Sequence, residues 1–229
     1  MGRLKEVALT ADALLERLVE NGALGIIRIH TAQDLVAIAQ ALHEGGLFCL
    51  EITMNTPGAL RAIEMAREKL PAVLMGAGTV LDAMSAYQAI LAGAQFLVTP
   101  TLKLDVLEVA HRYGVPAIIG AMTPTEILTA WEAGAAMVKV FPASVLGPKY
   151  IQEIHGPLPQ IPLVPTGGIT AENAPDFIKA GAALVCVGSW LVDRKAVAEG
   201  RFGVLTERAR VLVEAVKKAR EQLGKNPMV

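Results

Sequence analysis

The sequence predicts an α/β fold of the (β/α)8 TIM-barrel class with an extra N-terminal helix. Two observations support this prediction. Eight short apolar segments recur along the chain, and each is followed by a segment with helical periodicity, at a strand-to-strand step of roughly 20 to 26 residues. A glycine also recurs between helix and strand, as in EGGLF, LAGAQF and KAGAAL, where a helix C-cap needs one.

The candidate strands are apolar on both faces, which is typical of parallel strands covered by helices. They begin near Leu24, Leu47, Val73, Phe96, Ala117, Met137, Leu163 and Leu184. The helical patterns that follow them cover Ala32–Glu44, Pro57–Lys69, Ala83–Ala92, Lys103–Tyr113, Pro124–Ala133, Gly147–Ile154, Ala171–Ala180 and Thr206–Leu223. One further helix, Ala11–Val19, would plug or flank one end of the barrel.

An open doubly wound sheet is the alternative arrangement of such units. It would carry a G-x-G-x-x-G turn after its first strand, and the segment GIIRIHTAQD contains none. No linker, low-complexity tract or run of charges divides the chain. We therefore expect a single barrel domain over residues 1–229.

Composition narrows the possible functions. The chain is 53% apolar, and 21 basic and 22 acidic residues give a formal net charge of −1. Such a chain can bury a core, which excludes disorder, and it offers no general attraction for nucleic acid. No run of about 18 apolar residues is present, so we expect no membrane partner. Because both cysteines lie in apolar strands and the acidic N-terminal segment lacks the apolar region of a secretory signal, we expect a cytoplasmic protein.

Lys139 is the most informative residue, because it lies inside the apolar strand AAMVKVFPA. A buried ammonium group is costly, and a lysine in that position responds by losing its proton. A neutral lysine amine at the end of a barrel is a nucleophile for carbonyl groups, as Schiff-base catalysis requires. The alternative is a lysine that reaches solvent or pairs with a carboxylate.

Glu51 is the natural counterpart of Lys139, since the segment LFCLEIT places a carboxylate inside a second apolar strand. If both side chains face the interior of the barrel, the carboxylate can shuttle protons for an imine-forming lysine. A structural salt bridge between the same two residues is the competing interpretation.

Glycine-rich turns follow the last two strands. They are PTGGIT at residues 165–170 and VGS at residues 187–189. Glycine allows backbone N–H groups to approach an anion, a following helix N-terminus favours negative charge, and barrels often hold phosphate after strands seven and eight. The pair therefore predicts a phosphate site, although either turn alone is more often structural.

Other strand ends carry further candidates. Arg28 could hold a carboxylate through its planar fork of donors, or pair with Asp34 at the surface. The segment GAGT at residues 76–79 could allow close backbone approach and supply a hydroxyl donor, although a plain turn at the end of a strand would have the same sequence pattern. The four histidines, of which His30 is the first, form no metal-ligand pattern, and we expect no metal.

These residues resemble the Schiff-base aldolases that cleave 2-dehydro-3-deoxy-6-phosphogluconate, its galactonate epimer or 4-hydroxy-2-oxoglutarate. The motifs LEIT, GAGTV, VTP, KVFPAS, GPKYI, PTGGIT and VGSWLV occur in order between residues 24 and 192. The resemblance implies a (β/α)8 barrel, a homotrimer and no cofactor. It also implies that Lys139 forms the Schiff base and that Glu51 is the acid and base. The pyruvate end would be lined by Thr79, Pro100 and Phe141, and the phosphate end by Thr166, Gly167, Gly168, Gly188 and Ser189.

One position departs from the family pattern. Many gluconate-type members have an arginine where this chain has Asn55, so this chain lacks the charge that would contact an anion there. The EI-x-x-NTP pattern is closer to the galactonate branch, where Arg28 would take the carboxylate, whereas PTGG is closer to the gluconate branch. The sequence leaves the branch open.

The mechanism implied by the resemblance is imine formation at C2, cleavage of the C3–C4 bond and release of glyceraldehyde 3-phosphate or glyoxylate before pyruvate. Two alternatives remain. One is a phosphate-binding epimerase or isomerase, in which Lys139 acts only through its charge. The other is a barrel without catalytic activity that serves binding or assembly.

Overall fold

Each of the eight apolar segments forms a parallel strand in the computed structural model, which describes residues 10–29 and 34–224. The strands are β1 (Ala23–Ile27), β2 (Cys49–Thr53), β3 (Leu74–Gly78), β4 (Leu97–Val98), β5 (Ala117–Ala121), β6 (Met137–Val140), β7 (Leu163–Pro165) and β8 (Val185–Val187). They pair in the order β7-β6-β5-β4-β3-β2-β1-β8. A parallel bridge between Thr166 and Cys186 joins the two ends, so the sheet closes into the predicted barrel.

The helices of the described residues surround this barrel. They are α1 (Ala11–Asn21), α2 (Leu35–Glu44), α3 (Ala59–Lys69), α4 (Ala83–Leu91), α5 (Leu104–Tyr113), α6 (Pro124–Glu132), α7 (Ala143–His155), α8 (Ala174–Lys179), α9 (Arg194–Ala198) and α10 (Gly203–Gln222). The start predicted for α2 at residues 32–33, and His30, lie outside the described residues. The single domain over residues 1–229 stays a prediction.

The helices α7 to α10 depart most from the sequence prediction, and α10 begins at Gly203 rather than Thr206. The helix α9 was not predicted, because five residues are too few to show a helical period. The helix α7 begins at Ala143 rather than Gly147, and it is broken at Gly147, whose φ is 70° and whose ψ is 174°. The helix α8 begins at Ala174, several residues after the glycine turn that follows β7.

The predicted leading helix closes the N-terminal end of the barrel. Leu14 and Leu18 of α1 pack on the inward-facing apolar side chains of the strands, which include Cys49, Phe96 and Met137. Asn21 secures the end of α1, because its side-chain oxygen accepts hydrogen bonds from the backbone N–H groups of residues 48 and 49 at 2.8 and 3.0 Å. This end of the barrel is therefore filled, and the opposite end is left for a site.

No helix within residues 10–29 and 34–224 is both long enough and apolar enough to cross a bilayer.

Candidate functional site

Two buried charged side chains lie inside the barrel. Glu51 of β2 is 1% exposed and Lys139 of β6 is 4% exposed. Three strands separate β2 from β6 in either direction around the ring, so the two strands lie on opposite sides of the barrel. Side chains alternate along a strand, and both residues fall on the face that also carries the interior apolar cluster. Glu51 and Lys139 therefore face each other across the barrel axis.

The two charges do not form a contact ion pair. Within the described residues no salt bridge of 4.0 Å or less involves Lys139. The Nζ atom lies 5.5 Å from the centre of the Phe141 ring, which is near the mouth of the barrel and 39% exposed. The salt bridge considered from the sequence is therefore wrong as a direct contact.

Burial raises the pKa of Glu51 above its ordinary value, and the charges of Lys139 and Arg28 offset part of that rise. One carboxylate oxygen, Oε2, is buried and has no hydrogen-bond partner among the described residues. Such surroundings disfavour the ionised form of a carboxyl group. Glu51 is thus protonated more readily than an exposed glutamate, as a group that donates protons requires.

Glycines in the strands make the room for these groups. A Cβ atom on Gly78 would lie within 3.0 Å of the Glu51 carboxylate, and one on Gly76 would collide with the Phe96 ring. A Cβ atom on Gly120, which pairs in register with Lys139, would collide with the backbone of Pro100 and Thr101. The GAGT segment is therefore packed closely against the Glu51 carboxylate and the Phe96 ring, and Pro100 lies beside the neighbour of Lys139.

Arg28 and Thr79 meet at the mouth of the barrel. A guanidinium nitrogen of Arg28 lies 3.5 Å from the hydroxyl of Thr79. Thr79 has a φ of 56°, an uncommon conformation for a β-branched residue that is often retained at functional sites. Asn55 is exposed in the loop between β2 and α3, and it makes no hydrogen bond to the other site residues that the structure describes.

The turn after β7 continues the site. Thr166 is buried, and Gly167 and Gly168 have φ angles of 100° and 68°, which favour glycine. Gly167 lies against the Phe141 ring. Asn173 donates a hydrogen bond of 2.9 Å to the carbonyl of Gly168, so this carbonyl is held away from any anion at the turn. Because α8 begins only at Ala174, its dipole does not act directly on the turn as the sequence analysis supposed.

The turn after β8 is a single helical turn. The carbonyl of Gly188 accepts hydrogen bonds from the N–H groups of Leu191 and Val192, both at 2.9 Å. The N–H groups of Gly188 and Ser189 donate to no acceptor within the described residues. The first N–H groups of such a turn have no acceptor within the turn, so they are available to an acceptor from outside the chain. The ends of β7 and β8 are neighbours, so the two turns lie side by side and are called the cradle below.

Sequence reasoning missed several polar residues that shape the site. The hydroxyl groups of Thr53 and Thr56 form a hydrogen bond of 3.0 Å beside the loop that carries Asn55. The Thr99 hydroxyl accepts a hydrogen bond of 2.8 Å from the N–H of Gly120. A threonine inside an apolar strand end was the available signal for Thr53 and Thr99. Asn173 gave no such signal, because it acts through a backbone carbonyl five residues away.

Comparison with known proteins agrees with this geometry. The family model for KDPG and KHG aldolases matches residues 14–207. The 2-dehydro-3-deoxy-phosphogluconate aldolase of Treponema pallidum is 36% identical over 89% of this chain and 97% of its own length. The KHG/KDPG aldolase of Escherichia coli is 35% identical over 84% of this chain and 91% of its own length.

Solved structures give the same result. A KDPG aldolase from Legionella pneumophila, with pyruvate captured as a covalent carbinolamine intermediate, superposes with a TM-score of 0.81 at 29% identity, over 89% of this chain and 98% of that one. A native KDPGal structure superposes with a TM-score of 0.81 at 32% identity, over 87% of this chain and 96% of that one. A cube-shaped cage designed by fusing symmetric oligomeric domains gives 0.82 at 32% identity, over 88% of this chain and 74% of that one. The chain belongs to the KDPG and KHG aldolase family.

Proposed function

We propose that this protein is a Schiff-base aldolase that cleaves a 2-keto acid into pyruvate and an aldehyde, with Lys139 as the nucleophile. The observation that carries this proposal is the placement of Lys139, which is buried, free of a contact ion pair within the described residues, and opposite a carboxyl group of raised pKa. A lysine held only for stability would gain a partner in such a site.

The steps follow from these two groups. The amine of Lys139, once it has given up its proton, adds to the C2 ketone of the substrate and forms a carbinolamine. Glu51 gives a proton to the departing hydroxide, which leaves as water. The Glu51 carboxylate then takes the proton of the C4 hydroxyl as the C3–C4 bond breaks, and the iminium accepts the electron pair of that bond. The aldehyde leaves, the enamine takes a proton at C3, and water hydrolyses the imine to release pyruvate and the free amine.

The remaining site residues divide into two ends. We assign the pyruvate carboxylate to Arg28 and Thr79, with Pro100 and Phe141 beside the methyl end. We assign a phosphate group of the substrate to the cradle formed by Thr166, Gly167, Gly168, Gly188 and Ser189. The free N–H groups of this cradle support the assignment, because an anion satisfies them where a neutral group would not.

Borohydride reduction in the presence of pyruvate tests the nucleophile. We expect a pyruvyl mass increment on Lys139 in the wild-type protein and none in a Lys139→Ala variant that remains folded. Lys149→Ala is the matched control, because this lysine is exposed on α7 and should leave trapping unchanged. Active wild-type protein without the increment would instead favour the epimerase or isomerase reading, in which the lysine acts only by its charge.

Substrate preference follows from the phosphate cradle and from Asn55. We propose that 2-dehydro-3-deoxy-6-phosphogluconate is the preferred substrate, with its galactonate epimer as the alternative that Arg28 and Asn55 favour. Values of kcat/KM for both epimers and for 4-hydroxy-2-oxoglutarate, measured side by side, decide between them. If no phosphorylated acid is preferred over 4-hydroxy-2-oxoglutarate, the cradle has been misassigned.

We propose that the protein is a homotrimer that associates through an apolar surface on α4 and α5, defined here as the α4–α5 patch. Its exposed side chains are Leu81, Met84, Tyr87, Leu91, Leu104 and Tyr113. Contiguous apolar surface of this kind is typical of an interface. Light scattering should give three times the 24.2 kDa chain mass for the wild type and a smaller mass for Leu91→Asp. Val211→Asp, on exposed α10, is the control that should remain trimeric; a monomeric wild type would refute the proposal.

We also propose a cytoplasmic location, which the two free, buried cysteines support. Cell fractionation tests it, and recovery of the protein in an oxidising compartment would contradict it.

A further inference from the structure

Arg208 connects the long helix α10 to the turn after β8. Its guanidinium donates one hydrogen bond to the carbonyl of Trp190 and a second, of 2.9 Å, to the carboxylate of Asp193. The same group lies 5.7 Å from the centre of the Trp190 ring. Arg208 therefore holds Trp190, the residue that follows Ser189, by its backbone carbonyl and by its ring. It also binds Asp193, three residues further along the chain.

Asp193 is itself fixed by a second role. Its carboxylate caps α9 by accepting a hydrogen bond of 2.9 Å from the N–H of Ala196. That hydrogen bond, and the charge of Arg208, hold the pKa of Asp193 below its usual range. The carboxylate is thus a fixed acceptor, and a planar guanidinium can bind it and the Trp190 carbonyl together.

The geometry of the turn explains why its anchorage matters. The N–H groups of Gly188 and Ser189 have no acceptor among the described residues, and they keep their present directions only while the turn keeps its helical form. The carbonyl of Trp190 leaves the turn on the side of α10, where Arg208 binds it. Rotation of this part of the turn would break the hydrogen bond to Arg208 and would turn the donors away from an anion.

We propose that Arg208 is a positioning residue that holds the β8 turn ready for a phosphate group and thereby favours phosphorylated substrates. This inference rests on the proposed function, since it deepens the role of the phosphate cradle. Arg208 lies just beyond residues 14–207, which match the family model, and it touches neither Lys139 nor Glu51.

The same helix supplies a matched control. Arg210 lies two residues further along α10, and it pairs with Glu207 at an exposed site. Replacing either arginine by methionine removes one charge from the same helix. Only Arg208→Met releases the β8 turn. Arg208→Lys, which can bind Asp193 or Trp190 but cannot fork to both, is a second variant that should fold even if Arg208→Met does not.

Steady-state kinetics on both classes of substrate test the proposal. For Arg208→Met we expect KM for the phosphorylated substrate to rise about tenfold, as loss of one charge-assisted hydrogen bond in a binding loop would cause. We expect kcat to stay within about twofold and KM for 4-hydroxy-2-oxoglutarate to remain unchanged. The KM of Arg208→Lys for the phosphorylated substrate should lie between the values of the wild type and Arg208→Met. The KM of Arg210→Met should equal that of the wild type. Equal losses on both substrates would overturn the proposal, because they would show a purely structural role.

Calorimetric titration with inorganic phosphate gives a readout that does not depend on activity. We expect Arg208→Met to bind phosphate more weakly than Arg210→Met does, and equal affinities, or no binding by the wild type, would overturn the proposal. Absence of borohydride trapping by the wild type would instead refute the proposed aldolase chemistry. The titration decides the role of Arg208 in either case.

Discussion

Replacement of Glu51 by glutamine separates the catalytic role of this residue from a structural one. If the carboxylate and Lys139 formed a structural ion pair, removal of one charge would leave the other buried alone and would cost about 3–5 kcal/mol of unfolding free energy. The structure predicts the opposite sign. Glu51 is 1% exposed, one of its carboxylate oxygens has no partner among the described residues, and the carboxylate makes no contact ion pair with Lys139.

The sign follows from the raised pKa of Glu51. Burial disfavours the charged carboxylate, and Glu51→Gln mimics the protonated side chain, so the variant should gain stability at pH 7 by about 1.4 kcal/mol for each unit by which the pKa is raised. The same variant cannot pass protons, and kcat should fall by about 10²–10⁴-fold. Stability and activity should thus move in opposite directions.

The gain in stability should depend on pH in a definite sense. Burial raises the folded-state pKa of Glu51 above the ordinary value of 4.5. Between these two values the folded protein binds more protons than the unfolded chain, so the wild type loses stability as the pH rises through that window. The advantage of Glu51→Gln should therefore be small below pH 4.5 and grow above it.

Urea unfolding of the two proteins at several pH values, together with a pyruvate assay coupled to lactate dehydrogenase, measures both effects. Glu126→Gln is the control of opposite sign, because N–H groups of Met122 and Thr123 lower the pKa of Glu126. That variant should lose stability at neutral pH and keep its activity. A Glu51→Gln protein that is less stable than wild type at pH 7 would refute the reasoning and restore the structural ion pair.

Three other changes have definite expected outcomes. Gly78→Ala should lower kcat by about 100-fold, because the added Cβ would displace the Glu51 carboxylate. An unchanged rate in the pyruvate assay would contradict this expectation. Ser189→Asp should raise KM for phosphorylated substrates far more than for 4-hydroxy-2-oxoglutarate; equal increases would argue against an anion beside it. His155 has two buried ring nitrogens without a partner in the described chain, and burial lowers its pKa. The wild type should therefore lose stability as the pH falls below about 6.5, and His155→Phe should lose less in the same unfolding experiment; equal losses would contradict this.

The barrel could be predicted from the sequence because its signal is repeated. Every apolar segment formed a strand, and the glycines after the helices supplied the turns expected of them. Where the signal was short or interrupted, prediction failed. The five residues of α9 are too few for a periodic pattern, and the Gly147–Pro148 pair hid the first turn of α7.

The site was predictable to the extent that charge stands out in an apolar strand. Lys139 and Glu51 were identified for that reason, and the structure places both of them inside the barrel. Arg208 and Asn173 could not be identified in this way, because each acts by binding a backbone carbonyl. The partner of Arg208 lies 18 residues away in sequence, and nothing in the residue types indicates that contact.

The two ends of the barrel interior are packed differently: apolar side chains fill the N-terminal end, and glycines line the mouth. At the N-terminal end Leu14 and Leu18 of α1 complete an apolar cluster, so truncation of these side chains should cost stability through a cavity. At the mouth, glycines replace larger side chains and a carboxyl group is left without a hydrogen-bond partner within the described residues. Such a mouth lowers stability locally, and it persists because the filled end and the outer helices hold the strands in place. Neutral replacement of the Glu51 carboxylate should therefore stabilise the protein at the expense of activity, which is the relationship expected where open space and an ionisable group serve chemistry.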